Sequence, residues 1–371
     1  MDPRRWWWLW SRCPGLGTVR MRELQALLLE HQLTLAELWS YSDKDLKRLL
    51  PWPPALFRSF QAYRHSLPLI PEIKVPEEAL LPLDRLWPKG VDGLNRPPLA
   101  LFWRGRAGLW NCLGARQAVA VVGTRRPSAH GLRMAEALGR ALAVAGWPVV
   151  SGLAEGIDAS AHKGCLDAEG APVAVLGTPL NRVYPVHHQG LQADVQAAWL
   201  LISEQPENGS VQRGHFAARN RLVVAVVRAV VIVECPEQSG ALISARLAAE
   251  LDCPVLVVPG DARRWSARGS NALLLNAAAP LLSPEALVTQ LGPGPLLERG
   301  PVSTAAGPKA EAALALQAGS LELIRAVADG ASIEELVSCL NRSPTCLAEH
   351  LLQLELQGVV VAEPGLRWRS A

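Results

Sequence analysis

Short apolar runs alternate with stretches of helical spacing between residues 98 and 291. The runs span 118–122, 149–150, 173–176, 200–202, 229–233 and 255–258, and a Gly, Ser, Glu or Pro follows each of them. Buried strands separated by helices are typical of a parallel sheet that is covered on both faces. The pattern therefore predicts an α/β core at 98–291 with a doubly wound parallel sheet.

The longest apolar stretch, 222–233, is interrupted by Arg228. A buried strand of about twelve residues would be unusual, because most strands have about five or six. We therefore interpret 222–227 as the end of a helix and 229–233 as the strand that follows it.

The segment 1–66 is rich in Leu and Trp and predicts a small helical domain of the SAM or helix–hairpin–helix type. Residues 14–17 (PGLG) precede a helical stretch at 21–31 and resemble a helix–hairpin–helix turn, whose backbone N–H groups can hold a phosphate. A helical bundle with a Gly-rich corner explains the same residues. Two further helices, at 34–38 and 42–50, begin at Thr or Ser with a carboxylate in the first turn.

Two segments are predicted to be linkers. Residues 67–97 contain many prolines and show little periodicity, and in 292–310 Gly and Pro recur. Such compositions favour extended or flexible chain rather than packed elements.

The segment 311–371 predicts a winged-helix domain of three helices and a two-stranded wing. The helices are placed at 321–327, from the capping box Ser332 to Glu335 onward, and at 344–356, with the hairpin at 358–362 and 366–368. Winged helices often bind duplex DNA, but this third helix carries Glu349 and Glu355 and no Lys or Arg. A role in protein interaction or dimerisation is therefore at least as consistent with the sequence.

Polar and glycine residues form four turns in the predicted core. The carboxyl ends of parallel strands meet at one edge of a sheet, so these turns are expected to line one crevice. The candidate binding residues are Gly123, Thr124, Arg125, Arg126, Ser151, Gly152, Arg219, Asn220, Arg221, Ser239, Gly240 and Ser244. A single Ser-Gly corner is usually only a tight turn, whereas four such turns, two of them with arginines, favour a binding site.

Arginines are concentrated in two stretches without acids. Between Asp92 and Glu136 the charged residues are seven arginines, and from 212 to 233 they are four arginines. A small nucleotide needs one or two cations, so this density predicts a polyanion as the ligand. The helix that follows 118–122 would add unpaired N–H groups at its N-terminus.

Two of these features have alternative explanations. Arg219 or Arg221 is either a phosphate ligand or the partner of a nearby glutamate, Glu204 or Glu234. Trp265, which lies among three arginines, is either a platform on which a base stacks or part of a lid packed over the edge of the sheet.

Asp158 and His162 lie one helical turn apart on a predicted helix. A carboxylate and an imidazole in this arrangement can bind a metal, but without a third ligand the metal signal is weak. The better interpretation is that Asp158 caps the helix and that His162 holds a neighbouring loop.

Several enzyme motifs are absent from the sequence. It has no G-x-G-x-x-G after the first predicted core strand, no P-loop motif and no G-x-S-x-G elbow. It also has no cluster of acids suited to two metal ions. We therefore predict no cofactor, no metal and no catalytic residue, and a protein that is not an enzyme.

Composition points to a cytoplasmic protein that does not enter a membrane. No stretch approaches the roughly 18 apolar residues of a membrane helix. Arg12 and four early tryptophans interrupt any signal-peptide core. The seven cysteines form no C-x-x-C pair, which fits a reducing compartment.

Seven sequence blocks resemble the DNA-processing protein A family (DprA, also called Smf). The blocks are VAVVGTRRPSAHG (119–131), VVSGLAEGIDASAH (149–162), VAVLGTPLNRVYP (173–185), LISEQP (201–206), FAARNRLV (216–223), VIVECPEQSGALISAR (231–246) and VLVVPGDARRWSARGSNALL (255–274). They occur in the family's order and cover the region from 98 to 291. The two flanking domains resemble common accessory domains of that family through weaker signals.

The resemblance implies an extended Rossmann-like core that binds single-stranded DNA and works as a homodimer. It further implies a mediator that protects incoming DNA and helps load the RecA recombinase during natural transformation, rather than an enzyme. The candidate residues match the family's binding elements, with Arg125 as the arginine of the first turn. Some members have a lysine directly after Tyr-Pro, where this chain has Val186 and then His187, and this departure affects one phosphate contact.

Two other functions are alternatives to this one. Phosphoribohydrolases that resemble lysine decarboxylases share this kind of sheet, but they carry a P-G-G-x-G-T turn with a nearby catalytic glutamate. This chain has PEQSG at 236–240, and Glu234 alone does not rebuild that site. An adaptor whose sheet is purely structural is less consistent with the acid-free arginine stretches.

Overall fold

The computed structural model describes residues 2–68, 72–276 and 278–297, together with residues 323, 326–327, 330–340, 343–344, 347–348, 351, 354–355, 360–363 and 367–370. The chain divides into two compact units, 1–297 and 298–371. None of the helices in these described parts is long and apolar enough to cross a membrane.

The described residues of the first unit form a nine-stranded mixed sheet. Its strands are β1 (Ala79–Leu80), β2 (Leu101–Gly105), β3 (Val119–Val122), β4 (Val149–Ser151), β5 (Pro172–Leu176), β6 (Leu200–Ser203), β7 (Ala229–Ile232), β8 (Val255–Val257) and β9 (Ala279–Pro280). Their order across the sheet is β1-β2-β6-β5-β4-β3-β7-β8-β9. The strands from β6 to β9 in this order are parallel to their neighbours, whereas β1 and β2 are antiparallel.

Helices surround this sheet and form a bundle at the N-terminus. The bundle contains α1 (Pro3–Ser11), α2 (Thr18–Glu30), α3 (Leu35–Ser40), α4 (Asp43–Leu49) and α5 (Pro54–His65). The remaining helices of the first unit are α6 (Lys89–Asp92), α7 (Trp110–Gly114), α8 (Ala129–Val144), α9 (Ile157–Asp167), α10 (Gln189–Ala198), α11 (Arg213–Ala218), α12 (Asn220–Ala225), α13 (Gly240–Glu250), α14 (Arg268–Leu273) and α15 (Pro284–Leu291). Short 3₁₀ turns occupy Ala107–Leu109, Val186–His188 and Trp265–Ala267.

Burial on both faces explains the unbroken apolar runs of the central strands. In β3, Val119 and Val121 belong to one apolar cluster, and Ala120 and Val122 belong to the cluster on the other face. All four are at most 7% exposed, so no position of the strand meets water. The predicted α/β fold with a mainly parallel sheet is confirmed, and the six predicted runs coincide with β3 to β8.

The interpretation of residues 222–233 is also confirmed. Helix α12 ends at Ala225 and strand β7 begins at Ala229. The backbone N–H of Arg228 between them donates to Ala118 O at 2.8 Å, and this bond sets the start of β7 beside β3.

Aromatic packing holds the N-terminal bundle together. Trp10 is fully buried, and its ring centroid lies 5.1 Å from that of Phe60 and 5.4 Å from that of Trp39. Trp7 Nε1 donates to Leu99 O at 2.9 Å, which fastens α1 to the chain just before β2. The bundle therefore belongs to the same compact unit as the sheet.

The linker interpretation of 67–97 is wrong for its second half. Strand β1 pairs with β2, and Trp87, Val91 and Leu94 are buried in the core beside the sheet. The apolar residues of this stretch show no clear period because prolines divide it into elements of only two to four residues. Residues 79–97 are an integral part of the first unit.

The start of the predicted linker 292–310 is also fixed to the first unit. Gly294 N donates to Ala145 O at 2.7 Å, and Trp147 Nε1 donates to Gly292 O at 2.9 Å. Residues 292–297 are therefore bound by backbone hydrogen bonds, while 298–310 lie outside the described residues.

The described residues of the second unit form a small antiparallel sheet and a helix. They are β10 (Ala331–Ser332), α16 (Ile333–Leu340), β11 (Val360–Glu363) and β12 (Arg367–Ser370), with the strand order β10-β12-β11. Ser332 and Glu335 form the predicted capping box, since Ser332 N donates to Glu335 Oε2 at 2.7 Å and Glu335 N donates to Ser332 Oγ at 3.3 Å. The predicted helices at 321–327 and 344–356 lie partly outside the described residues, so the winged-helix fold stays a prediction.

Candidate nucleic-acid interface

A cleft opens where the strand order of the sheet reverses. The chain runs from β3 through β4 and β5 to β6 on one side, and then returns to β7 on the other side of β3. Open α/β sheets bind their ligands at such a point. The cleft has a volume of about 450 Å³, and most of the predicted binding residues line it: Gly123, Thr124, Arg125, Arg126, Gly152, Arg219, Asn220, Ser239, Gly240 and Ser244. Ser151 and Arg221 are not part of its lining.

The turn after β3 is held rigidly and presents two arginines. A Cβ atom on Gly123 would lie 2.6 Å from Ile157 Cγ1 and 2.8 Å from Glu234 O, so only glycine fits there. Thr124 N donates to that same carbonyl oxygen, Glu234 O, at 2.7 Å. The turn is thereby fixed between β7 and α9. The side chains of Arg125 and Arg126, which belong to this turn, are exposed.

The N-terminus of α8 is already occupied by a carboxylate of the protein itself. Glu234 is 4% exposed and accepts hydrogen bonds from Ser128 N at 3.2 Å and from Ser128 Oγ at 2.7 Å. Ser128 Oγ in turn accepts from Gly131 N at 3.1 Å, and Ser266 Oγ also donates to Glu234. Glu234 and Ser128 Oγ therefore take the N–H groups of Ser128 and Gly131 at this helix end, and fewer of its N–H groups are left for a ligand than the sequence predicted.

Three arginines provide the exposed positive charge of the cleft. Arg125, Arg126 and Arg213 line it and are exposed, and none of them forms an ion pair with a carboxylate in the described parts of the chain. The guanidinium carbon of Arg125 lies 5.8 Å from the centroid of the Phe216 ring, within range of a cation–π contact. These cations are available to an anionic ligand.

An aromatic pair lies beside Arg125 over the end of β5. The ring centroids of Tyr184 and Phe216 are 4.7 Å apart, and Tyr184 is 47% exposed. A Cβ atom on Gly177, which follows β5, would lie 2.9 Å from Phe216 Cδ1, so the ring packs directly on the backbone of that turn. A base can stack on such a platform without any sequence requirement.

Arg219 is buried and serves the structure of the cleft rather than its surface. It is 4% exposed, and its guanidinium donates to Val175 O at the end of β5. A Cβ atom on Gly152 would overlap that guanidinium, so the glycine makes room for it. Arg219 thus forms the floor of the cleft beneath the turn after β4, and its role as a phosphate ligand stays a prediction.

Asp158 balances the buried charge of Arg219. The carboxylate is 6% exposed and accepts from Gly152 N at 3.1 Å and from Ala154 N at 3.4 Å. Burial raises the pKa of Asp158, while the charge of Arg219 and these two hydrogen bonds oppose the rise. The turn after β4 is therefore built around two opposite charges beneath the cleft.

Arg221 and Ser151 are also used internally. Arg221 forms a half-buried ion pair with Glu204, which is the structural alternative considered from the sequence. Ser151 is fully buried, and its Oγ donates to Val121 O at 2.7 Å, which joins the ends of β3 and β4. Neither side chain reaches the cleft.

The turn before α13 forms the opposite wall of the cleft. Ser239 Oγ accepts from Ala241 N at 3.2 Å and caps the helix, and Asn220 Nδ2 donates to Gly240 O at 3.2 Å. Ser244, one turn further, is 2% exposed but still lines the cleft. This wall is polar and uncharged, in contrast to the arginines opposite.

Asp158 and His162 both contact backbone atoms, but not the ones predicted. The N-cap of α9 is Gly156 without a side-chain cap, so the interpretation of Asp158 as the helix cap is wrong, and His162 contacts strand β5 instead of a loop. His162 is fully buried with Nε2 3.2 Å from Val173 O, and burial lowers the pKa of His162 to about 4. The neutral imidazole therefore donates to that carbonyl at pH 7. Among the described residues, no group of three or more His, Cys, Asp or Glu side chains could hold a metal ion.

Four side chains of the cleft and its rim were not among the predicted binding residues. They are Tyr184, Arg213, Phe216 and Trp265. Arg213 and Phe216 lie in the same acid-free stretch as Arg219, and this position in the sequence could have identified them as binding residues. Trp265 is 64% exposed, so the proposal that it is packed as a lid over the sheet edge is wrong.

Comparison with known proteins places this chain in one family. The model of the family described as DNA recombination-mediator protein A matches residues 78–292, more than half of the chain. Protein Smf of Synechocystis sp. is 30% identical over 398 aligned positions, which cover 98% of each chain.

Two solved structures share the fold. DNA processing protein A (DprA) from Streptococcus pneumoniae superposes with a TM-score of 0.64 at 26% identity, covering 77% of this chain and 97% of that one. DNA processing protein A from Helicobacter pylori, described for its single-stranded DNA binding mode, gives a TM-score of 0.50 at 31% identity over 55% of this chain and 92% of that one. The chain therefore belongs to the DNA recombination-mediator protein A family, whose members are named DprA or Smf.

Proposed function

We propose that the cleft binds single-stranded DNA. The observation that carries this proposal is the group of three exposed arginines, Arg125, Arg126 and Arg213, beside the stacked pair of Tyr184 and Phe216. Guanidinium groups suit phosphate oxygens, and aromatic faces suit unpaired bases. A duplex keeps its bases stacked inside and could use the arginines but not the rings, so the combination favours a single strand.

Family membership supports a wider role for the protein. Relatives include DprA proteins, and the Helicobacter pylori structure is described for its single-stranded DNA binding. We infer that this chain takes part in DNA processing during natural transformation, protects incoming single strands and helps load the RecA recombinase. Addition of the protein is expected to speed RecA assembly on single strands already covered by another binding protein, and an unchanged rate would remove RecA loading from the proposal.

We propose that the protein is a mediator and not an enzyme. The competing phosphoribohydrolase needs an accessible catalytic glutamate, whereas Glu234 is 4% exposed and bonded to Ser128 and Ser266. This engagement at the helix end gives Glu234 a structural role. The burial of Glu234 therefore supports the proposal that the cleft binds a ligand without catalysing a reaction.

We also propose that the protein works as a homodimer through the surface around α13 and α14. An apolar groove of about 540 Å³ lies there, lined by Leu242, Ala249, Val255 and Leu273 among others. Leu275 beside it is 89% exposed, and contiguous apolar surface of this kind marks interaction sites between proteins. Light scattering of Leu275→Glu is expected to give a monomer, and an unchanged dimer would place the interface elsewhere.

The binding proposal is tested with Arg125→Ala and Arg126→Ala against a labelled single strand. Each variant is expected to lose roughly 1 to 3 kcal/mol of binding free energy, because a charge-assisted contact to phosphate is removed. Arg140→Ala is the matched control, since Arg140 is an exposed arginine that pairs with Asp167 on the outer helices. Unchanged affinity in both folded variants would show that Arg125 and Arg126 do not contact the single strand.

A further inference from the structure

Trp265 is an exposed aromatic side chain on the other side of the strand reversal from Phe216. It follows β8, it is 64% exposed, and it contributes to the same cleft as Arg125 and Phe216. A packed tryptophan buries most of its large surface, and this one does not. Its indole face is therefore open to a ligand in the cleft.

The backbone that carries Trp265 is held in place from below. Ser266 Oγ donates to the buried carboxylate of Glu234, which ties this segment to the start of α8. Asn271 closes the segment, since it accepts from Gly260 N at 2.9 Å and its Nδ2 donates to Gly260 O at 3.0 Å. Because the segment is ordered by these bonds in the free protein, less conformational entropy remains to be lost when a ligand binds.

The surroundings of Trp265 are basic. Arg263, Arg264 and Arg268 are exposed within three residues of it. One carboxylate also lies in this segment, Asp261, and it is bonded to Arg263 N at 2.9 Å. An indole between exposed guanidinium groups matches the alternation of base and phosphate along a single strand.

We propose that Trp265 is a second base-stacking position for single-stranded DNA, separate from the pair of Tyr184 and Phe216. That pair lies over the end of β5, whereas Trp265 belongs to the segment after β8, whose Ser266 bonds to Glu234 at the end of β7. The strand then crosses the reversal point, with Arg125 and Arg126 between the two stacking positions. This inference rests on the proposed binding of single-stranded DNA.

The two kinds of contact make separable contributions to affinity. Stacking on Trp265 depends on the presence of a base and is nearly independent of salt. Contacts of Arg264 or Arg125 to phosphate depend on salt through counterion release and do not require a base. An oligonucleotide without bases therefore distinguishes the role of the indole from that of the arginines.

The experiment measures the affinity of Trp265→Ala, Trp265→Phe and the unchanged protein for two ligands. The ligands are a thymidine oligonucleotide and an abasic oligonucleotide of the same length. Trp265→Ala is expected to bind the thymidine strand about tenfold more weakly and the abasic strand as the unchanged protein does, while Trp265→Phe keeps most of the affinity. Arg264→Ala is the contrasting variant and is expected to weaken both ligands and to lower the salt dependence.

Two results would overturn the inference. Equal losses on both oligonucleotides in Trp265→Ala would mean that the residue shapes the phosphate path and does not stack. Unchanged affinity for both would mean that the strand does not pass Trp265. If the unchanged protein binds neither oligonucleotide, the proposed function fails together with this inference, and that outcome is distinct from the other two.

Discussion

The carboxylate of Glu234 accepts a hydrogen bond of 2.7 Å from Ser128 Oγ at the N-terminus of α8. In many α/β proteins the same helix end receives a phosphate of the ligand. Here the protein supplies an anion itself, and in the proposed complex the exposed side chains of Arg125 and Arg126 contact the charge of the ligand. This relationship separates the cleft from nucleotide sites that rely on a helix N-terminus.

Replacement of Glu234 is expected to affect stability and not chemistry. Glu234→Ala leaves Ser128 N and two hydroxyl groups without their buried acceptor and should lower the free energy of unfolding by about 2 to 4 kcal/mol. Glu234→Gln keeps one oxygen for Ser128 and should lose about 1 kcal/mol. Urea unfolding measures both values.

The matching functional test uses AMP as a substrate. The unchanged protein and Glu234→Gln are expected to release no adenine from AMP above the buffer control, because Glu234 is engaged below the cleft. Adenine release by the unchanged protein that disappears in Glu234→Gln would instead assign Glu234 a catalytic role.

Replacement of Arg219 is expected to lower the stability of the fold, whereas replacement of Arg125 is not. Arg219→Ala removes the donor to Val175 O and leaves Asp158 buried without its opposite charge, which should destabilise the fold by about 3 to 5 kcal/mol. Arg125→Ala removes an exposed side chain and should change stability by less than about 0.5 kcal/mol. Thermal unfolding of both variants checks this contrast.

The contrast between the two arginines has a clear counter-result. A stable Arg219→Ala variant that has lost single-strand binding would show that Arg219 reaches the ligand after all. A strongly destabilised Arg125→Ala variant would show that the turn after β3 depends on that side chain.

His162 is expected to make stability depend on pH between about 4 and 6.5. Burial lowers the pKa of His162 to about 4, from an ordinary value of 6.5. Below pH 6.5 the unfolded chain therefore binds a proton that the folded protein does not, so stability falls as the pH falls through this range and is fully present above it. The free energy of unfolding is expected to fall by up to about 1.4 kcal/mol per pH unit, and by roughly 3 kcal/mol in total between pH 6.5 and 4.

The His162 contribution is isolated by comparison with His162→Gln. The amide of Gln can still donate to Val173 O, but it does not titrate. Asp158 is present in both proteins, so its own titration cancels in the difference. Unfolding free energies measured from pH 4 to 7 should diverge from each other by the stated amount, and parallel curves would mean that His162 is accessible to protons in the folded state.

Removal of residues 311–371 is expected to leave single-strand binding nearly unchanged. The proposed site lies within 1–297, a compact unit with its own core, and the cleft is lined by residues from 122 to 265. The affinity of the shortened protein should be within about threefold of the full chain, a difference below about 1 kcal/mol. A larger loss would give the proposed winged-helix domain a direct part in binding.

The central strands could be predicted because both of their faces are buried. β3 to β8 are unbroken apolar runs, and each ends at a punctuating residue. Strand β2 was missed although residues 99–103 form an unbroken apolar run, and it differs from the central strands in lying near the sheet edge with only Leu101 fully buried. Strands β1 and β9 have two residues each, too few for any period.

The position of the cleft could be predicted, but the role of each arginine could not. Arg125 and Arg219 both lie in acid-free stretches, and the sequence does not distinguish them. Arg219 is buried because its partners, Gly152 and Val175, come from strands that are distant along the chain. Contacts over such separations are decided by the packing of the sheet and leave no local pattern in the sequence.

The central claim is tested most directly by fluorescence anisotropy across a salt series. Three labelled ligands are compared on the purified protein: a single-stranded oligonucleotide, a duplex of the same sequence and AMP. The account predicts tight, salt-dependent binding of the single strand, with a loss of about 0.7 in the logarithmic salt slope for each phosphate contact removed, as in Arg125→Ala. Tight binding of AMP without binding of the oligonucleotide would contradict it and make the cleft a pocket for a small nucleotide.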